Sequence, residues 1–374
     1  MSWPLVTLGS LEGGKGNFVD GPFGSNLKSS EYTESGVPLI QLKNIKPNKY
    51  ITKDLKFVSQ EKADSISRHS YKSGDVCIAK LGAVGTACII PDDAPDGIIV
   101  ADVVRFRGDK SLIDYKYFCH FLNSPEGQRR VLALSRGSTR TRTNLTDLKK
   151  VEIPLPPLDE QKRIAAILDK ADAIRRKRQQ AINLADDFLR SVFLDMFGDP
   201  VSNPKGWEVK SWKDALSIVN GKNQKAVLSK NGAYPIMGSG GEMGRASDYL
   251  TPENSVIIGR KGNINKPILV KENFWNVDTA FGLVPKPSIL SFNYLYWFCK
   301  LFDFERLNKA VTIPSLTKVD LLQISIPLPG ISKQMRFDEV VNKIESIISK
   351  NINSSQSAND IFNSLSQKAF SGEL

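Results

Sequence analysis

Two stretches of this chain are copies of one another. Ile153-Pro154-Leu155-Pro156 falls on Ile326-Pro327-Leu328-Pro329 at an offset of 173 residues. The same offset carries Gln161 onto Gln334, Arg163 onto Arg336, Ile174 onto Ile347, Ser191 onto Ser364 and Phe197 onto Phe370. A match sustained over about 45 residues is a unit of architecture, so the fold is built from two equivalent parts.

The copies extend backward with growing offsets, because the first spends more residues on loops. Asp75-Val76-Cys77-Ile78-Ala79-Lys80-Leu81-Gly82 lies over Ser255-Val256-Ile257-Ile258-Gly259-Arg260-Lys261-Gly262, and Tyr117-Phe118-Cys119 over Trp297-Phe298-Cys299, both at 180; Trp3 and Leu8 echo Trp207 and Trp212 at 204. Each half reads as a variable domain followed by a better-matched tail.

The tails carry helical patterning. Ile164, Ile167, Ala171, Ile174, Arg178, Ala181, Ala185, Phe188 and Val192 are spaced by three and four, as a heptad seam requires. The second tail repeats it as Phe337, Val340, Ile344, Ile347, Asn351, Ser354, Ala358, Ile361 and Leu365. Asp159 and Ser332 stand where N-caps are expected, and Gly198-Asp199-Pro200 stops the first helix. A helix of about 40 residues is about 60 Å long. Two such seams in equivalent halves predict a pseudo-twofold antiparallel pair, with a polar layer of Arg178 and Asn351 fixing its register.

The variable domains read as mixed α/β. In the first, 76–80 and 98–107 are β-rich and 112–134 has helical spacing; in the second, 256–260 and 281–286 are β-rich and 292–307 is helical. The predicted boundaries are 1–157 for the first domain, 158–198 for the first helix, 199–330 for the second domain and 331–374 for the second helix.

With 374 residues and 41% apolar content the chain can bury two or three separate cores. It lacks both an apolar run of about eighteen residues and a charged-then-apolar leader before Trp3, which predicts a cytoplasmic protein. Cys77, Cys88, Cys119 and Cys299 lack Cys-x-x-Cys spacing and read as buried reduced thiols. Only His69 and His120 could supply imidazole, so no metal site is expected.

A net charge of +11 and a pI near 9.3 point to a polyanionic partner. In Ser135-Arg136-Gly137-Ser138-Thr139-Arg140-Thr141-Arg142-Thr143, arginines alternate with small hydroxyl residues, a set of donors suited to phosphates and guanine edges; a solvated charged loop is the alternative. Residues expected to face DNA are Lys43, Arg68, Lys80, Arg136, Arg140 and Arg142 in the first domain, and Lys222, Lys225, Arg245, Arg260, Lys261 and Lys309 in the second. Arg175, Arg176 and Lys177 form a further mid-helix basic run.

Three further patterns point elsewhere. Pro95-Asp96 followed by Asp114-Tyr115-Lys116 imitates a metal-dependent nuclease, without a counterpart in the second half. Gly238-Ser239-Gly240-Gly241 lacks the lysine and serine of a P-loop. A coiled-coil scaffold independent of nucleic acid would need no excess of loop Lys and Arg.

Gly21-Pro22-Phe23-Gly24-Ser25-Asn26-Leu27-Lys28, Asn144-Leu145-Thr146-Asp147-Leu148, the IPLP segments with Glu160-Gln161, and the closing Ala369-Phe370-Ser371-Gly372-Glu373-Leu374 resemble the specificity subunits of type I restriction-modification systems. The resemblance covers essentially the whole chain. It implies two target recognition domains joined by two long antiparallel helices that form a coiled-coil spacer, each domain reading one half of a bipartite site in double-stranded DNA. It also implies a chain without catalytic residues of its own, docked to two modification (methyltransferase) subunits and to restriction (motor-nuclease) subunits. S-adenosylmethionine, ATP and Mg are then expected only in those partners. By the heptad spacing the helix seam is expected to include Ile167, Ile174, Arg178, Phe188, Val340, Ile347, Asn351 and Ile361.

Overall fold

The computed structural model describes residues 3–137, 141–308 and 313–374, the side chains of Ser25 and of 349–360 excepted. The chain divides into two compact units, Met1–Arg178 with Asn353–Leu374, and Gln179–Ile352. Both are mixed α/β, and among the described residues no helix is long and apolar enough to cross a membrane.

In the first unit a four-stranded antiparallel sheet runs in the order Phe18–Asp20, Val103–Phe106, Val76–Ala79, Ala87–Ile89. A second sheet has the order Lys56–Val58, Val37–Ile40, Gly97–Ile99, Ser70–Tyr71, its middle pair parallel. The β-rich run 98–107 is therefore two strands in different sheets, separated by a turn at 100–102. The helical run 112–134 is likewise two helices, Tyr115–Asn123 and Pro125–Ala133, because Ser124 caps the second and Pro125 cannot extend the first.

The second unit repeats the first sheet as Leu216–Asn220, Ala280–Pro285, Ser255–Gly259, Ile268–Val270 in the same order. Its other sheet has three strands, Gly241–Ala246, Tyr234–Gly238 and Trp275–Asn276. In each unit an early strand closes on the IPLP segment: Leu5–Thr7 pairs with Glu152–Pro154, and Val209–Ser211 with Ser325–Pro327.

The duplicated Gln and Tyr residues do the same work twice. Gln161 accepts the Asp114 N–H (2.9 Å) and donates to the carbonyls of Leu112 (2.8 Å) and Pro156 (2.9 Å). Gln334 accepts the Ser291 N–H (2.8 Å) and donates to Ile289 (2.9 Å) and Pro329 (2.7 Å). The hydroxyls of Tyr117 and Tyr294 each donate to an IPLP proline carbonyl, Pro154 and Pro327, at 2.7 Å. Tyr117 thus corresponds to Tyr294, not to Trp297. Three residues is nearly a full turn, so both alignments present the same helix face and the sequence does not separate them.

The long helices span Leu158–Phe197 and Ile331–Ser371, 40 and 41 residues. Asp159 and Ser332 lie inside their first turns rather than at the cap, and the first helix closes on Gly198 at φ 79°. Within the first unit the helices run antiparallel: Arg163 donates to the carbonyl of Leu374 (2.8 Å), and the Arg175 guanidinium lies 5.0 Å from the Phe362 ring. Within the second unit the end of the first helix meets the start of the second, Phe193 and Phe197 packing on Phe337 at 5.5 and 5.6 Å.

The buried stripe differs from the heptad seam. Gln161, Ile164, Leu168 and Asp172 are buried in the first unit, and Leu189, Phe193, Phe197, Phe337 and Val341 in the second. Ile174, Phe188, Ile347 and Ile361 are exposed, while Ile167, Arg178 and Val340 are half-buried. A heptad count assumes that a helix buries one face on its partner alone; here each helix end also packs on its own α/β domain, and that second surface sets which residues turn inward. The Asn351 side chain lies outside the described residues, and with it the Arg178–Asn351 layer.

Candidate nucleic-acid interface

Each unit brings four segments of its α/β domain to one place. In the first unit the strand Val76–Ala79 exits at Lys80, whose N–H donates to the carbonyl of Asp102 (2.8 Å) in the turn before Val103–Phe106. The Lys80 carbonyl accepts the Thr143 N–H (3.0 Å), and Gly82 N–H donates to Thr141 (3.0 Å). Arg136 and Arg142 exchange two backbone hydrogen bonds of 2.9 Å, which hold the described ends of the arginine-hydroxyl loop together beside the strand exit. Gly21 joins them by donating to Val103 (2.9 Å); a Cβ there would lie 1.9 Å from the carbonyl oxygen of Val100, which leaves room only for glycine.

The second unit repeats the bonds at the strand exit and at the glycine with other residues. Arg260 donates to Thr279 (2.8 Å) and accepts from Leu316 (2.9 Å), Gly262 donates to Pro314 (3.0 Å), and Gly221 donates to Ala280 (3.3 Å). A Cβ on Gly221 would lie 1.8 Å from the carbonyl oxygen of Val277. Gly82 and Gly262 both have positive φ, 73° and 79°, where a side chain would be strained. The backbone scaffold is shared, and the side chains it displays are not.

Lys80 is 2% exposed, its ammonium 2.9 Å from Asp20 and 4.6 Å from the Phe23 ring centroid. This corrects the expectation of a DNA-facing Lys80, because a buried lysine against a carboxylate contributes little charge to the surface. Its counterpart Arg260 is exposed, 5.9 Å from the Phe281 ring, with Lys261 exposed beside it. Arg136 is exposed, and so is Arg142, which donates to Asp102 (2.9 Å). Arg140 and Lys309, also expected to face DNA from these loops, lie outside the described residues.

Lys222 and Lys225 are exposed on the loop that follows Gly221, with the Lys222 backbone fixed by Asn276 and Trp275. Arg68 is exposed on the turn beside His69, whose ring bonds the carbonyl of Asp20 (2.5 Å). Lys43 lies on the turn Leu42–Asn44, which Asn44 ties to the carbonyls of Ile51 and Lys53, away from the bonds that assemble the four segments. Arg245 is half-buried and donates to the carbonyls of Gly232 (3.2 Å) and Ala233 (2.5 Å), which gives it a structural part. In the mid-helix basic run, Arg175 and Arg176 both bond the buried Asp172.

The nuclease-like pattern has a structural explanation. Asp114 caps the helix Tyr115–Asn123 by accepting from the N–H groups of Lys116 (3.0 Å) and Tyr117 (2.9 Å), while Lys116 pairs with Asp169 (2.8 Å). All four cysteines are buried, and burial raises their thiol pKa values, that of Cys88 to about 12. Sequence reasoning missed Asp20 and Asp102, the two carboxylates that organise the first unit's basic residues. Placing Val100-Ala101-Asp102-Val103 over Val277-Asp278-Thr279-Ala280, at an offset of 177, sets Asp102 opposite a threonine, so the repeat carries no signal for this carboxylate.

Comparison with known proteins places these features in a family. The family described as the type I restriction modification DNA specificity domain matches residues 24–184 and again 204–355, one match over most of each repeat. The EcoBI type I restriction enzyme specificity subunit of Escherichia coli is 24% identical over 214 residues, 56% of this chain and 44% of that protein. The MjaIX type I restriction enzyme specificity subunit of Methanocaldococcus jannaschii is 23% identical over 57% of this chain and 52% of its own length. The chain thus spans about half the length of these curated relatives. The crystal structure of the type I restriction-modification S subunit from M. genitalium shares the fold, with a TM-score of 0.65 at 17% identity over 99% of this chain and 96% of that one. A structure described for complex assembly and conformational transition of the type I R-M system gives 0.50 at 17% identity, covering 100% and 98%. With the duplicated match laid over two units that repeat the same four-segment scaffold, the chain belongs to the type I restriction-modification DNA specificity family.

Proposed function

We propose that this chain is the sequence-reading subunit of a type I restriction-modification complex, each unit reading one half of an asymmetric bipartite site in double-stranded DNA. The observation that carries this reading is the shared scaffold with unlike side chains: Lys80, Leu81 and Arg142 in the first unit stand where Arg260, Lys261 and Ser315 stand in the second. One backbone frame presenting two donor sets matches two half-sites of different sequence. Exposed Arg136, Arg142, Lys222, Lys225, Arg260 and Lys261 supply the contacts, with phosphates setting orientation and salt dependence. The long helices set the gap between half-sites and dock two methylating subunits, and motor-nuclease subunits join for restriction. Catalysis resides in those partners, which hold S-adenosylmethionine, ATP and Mg, and the complex works in the cytoplasm.

The test is to co-express the chain with its cognate modification subunit and map methylated adenines. Exchanging residues 1–150 for another recognition domain is expected to alter one half of the motif and spare the other. A change in both halves, or in neither, contradicts independent reading.

A further inference from the structure

Resting on that reading, we propose that Arg142 recognises a guanine in the half-site read by the first unit, and that Asp102 is the positioning residue that aims it. The Arg142 backbone is held from two sides. It exchanges both hydrogen bonds with Arg136, and its neighbours Thr141 and Thr143 are tied to Gly82 and Lys80 at the strand exit.

The side chain is constrained as well. Its Nη2 donates to Asp102 Oδ1 at 2.9 Å, and Asp102 is itself fixed through its carbonyl, which accepts the Lys80 N–H. Arg142 is 54% exposed and Asp102 half-buried at 28%, and a pair this open to solvent adds about 0–1 kcal/mol to stability. Stability therefore does not account for it. What the carboxylate does is hold a long, rotamer-rich side chain in one orientation before any partner arrives, which lowers the entropy lost on binding.

Charge decides between phosphate and base. A carboxylate 2.9 Å away offsets the guanidinium charge and weakens its pull on a phosphate, whose binding is mainly coulombic. It does not occupy the whole N–H fork. Asp102 takes one of the two Nη2 hydrogens, and among the described residues Nε and Nη1 have no hydrogen-bond partner, so the second Nη2 hydrogen and its neighbour on the open edge still form a pair of parallel donors of the kind that match O6 and N7 of guanine in the major groove. The second unit has Thr279 in place of Asp102 and Ser315 in place of Arg142, on the same backbone bonds. Two hydroxyls do not form that bidentate contact, so the half-sites differ at the corresponding position.

The experiment is methylated-adenine mapping of the full chain co-expressed with its modification subunit, as wild type, Arg142→Ala, Arg142→Lys and Asp102→Asn, with melting temperatures of the purified complexes. Arg142→Ala and Arg142→Lys are expected to relax one position that is guanine in the wild-type motif. Discrimination there falls about tenfold to a hundredfold, with the other half-site intact. Asp102→Asn relaxes the same position at an unchanged melting temperature, an effect that loss of a purely structural ion pair would not produce. If Arg142→Ala abolishes methylation, Arg142→Lys decides, since it keeps the charge and loses the fork. An unaltered motif in Arg142→Lys, or a relaxed position that is not guanine, overturns the proposal. A wild-type complex that methylates no bipartite motif overturns the parent reading as well, and the wild-type sample alone reveals that failure.

Discussion

Asp169, on the first long helix, ends a chain of oriented hydrogen bonds that begins in the sheet. Ala87 donates its N–H to Asn123 Oδ1 (3.0 Å) and accepts from Asn123 Nδ2 (2.9 Å), which fixes the amide's orientation. The same Nδ2 donates to Asn48 Oδ1 (2.8 Å), so the Asn48 NH2 faces His120 Nδ1 at 3.3 Å. Nδ1 must then accept, and Nε2 carries the proton donated to Asp169 at 2.8 Å. That bond from His120, helped by Lys116, holds the Asp169 carboxyl down at about 2. A depressed carboxylate stabilises the fold above its unfolded pKa of about 3.9, and that stabilisation disappears as the pH falls through the folded value. Comparing wild type with Asp169→Asn by thermal unfolding, the gap in melting temperature should hold steady from pH 7 to about 4 and close between about 4 and 2. A gap that stays constant across that lower window would show that Asp169 is not held in this way.

At the scale of the helix, what is buried against the domain matters more than what is apolar. Leu168 is fully buried, whereas Ile174, six residues on and within the heptad count, is 44% exposed. Leu168→Ala is expected to cost about 2–5 kcal/mol in denaturant unfolding of the full chain, and Ile174→Ala no more than about 0.5 kcal/mol. Equal costs would restore Ile174 to the seam. The comparison also separates what was legible in the sequence from what was not. Both helices, their IPLP starts and the Gly198 stop came from local patterns that any context leaves standing. The inward face did not, because it depends on a second packing surface contributed by residues far away in the chain. Gln161 and Gln334 stood out as a matched pair, yet their partners are backbone groups of Leu112, Pro156, Ile289 and Pro329, which bear no side-chain signature. The same limit explains Lys80: composition counts its charge, and only the fold brings Asp20 to it from 60 residues upstream.

Over the whole molecule the +11 charge is therefore not an even coating, and equivalent positions in the two units should answer salt differently. Arg260 and Lys261 are exposed at a strand exit whose first-unit counterpart, Lys80, is buried against a carboxylate. Each phosphate contact contributes about 0.9 to the slope of log affinity against log salt, since binding releases the counterions that the phosphate had condensed. Replacing Arg260 and Lys261 together by alanine should lower that slope by about two, provided each meets a phosphate. Removing the internal pair with Lys80→Met and Asp20→Asn takes one charge of each sign from the interior and should leave the slope unchanged, whatever it does to stability. The measurement is a salt titration of the assembled complex on a duplex carrying the methylated motif. Equal losses of slope from the two double variants would mean that Lys80 reaches DNA after all; a loss confined to Arg260 and Lys261 ties the second unit's strand exit, and not the first unit's Lys80, to the phosphate backbone.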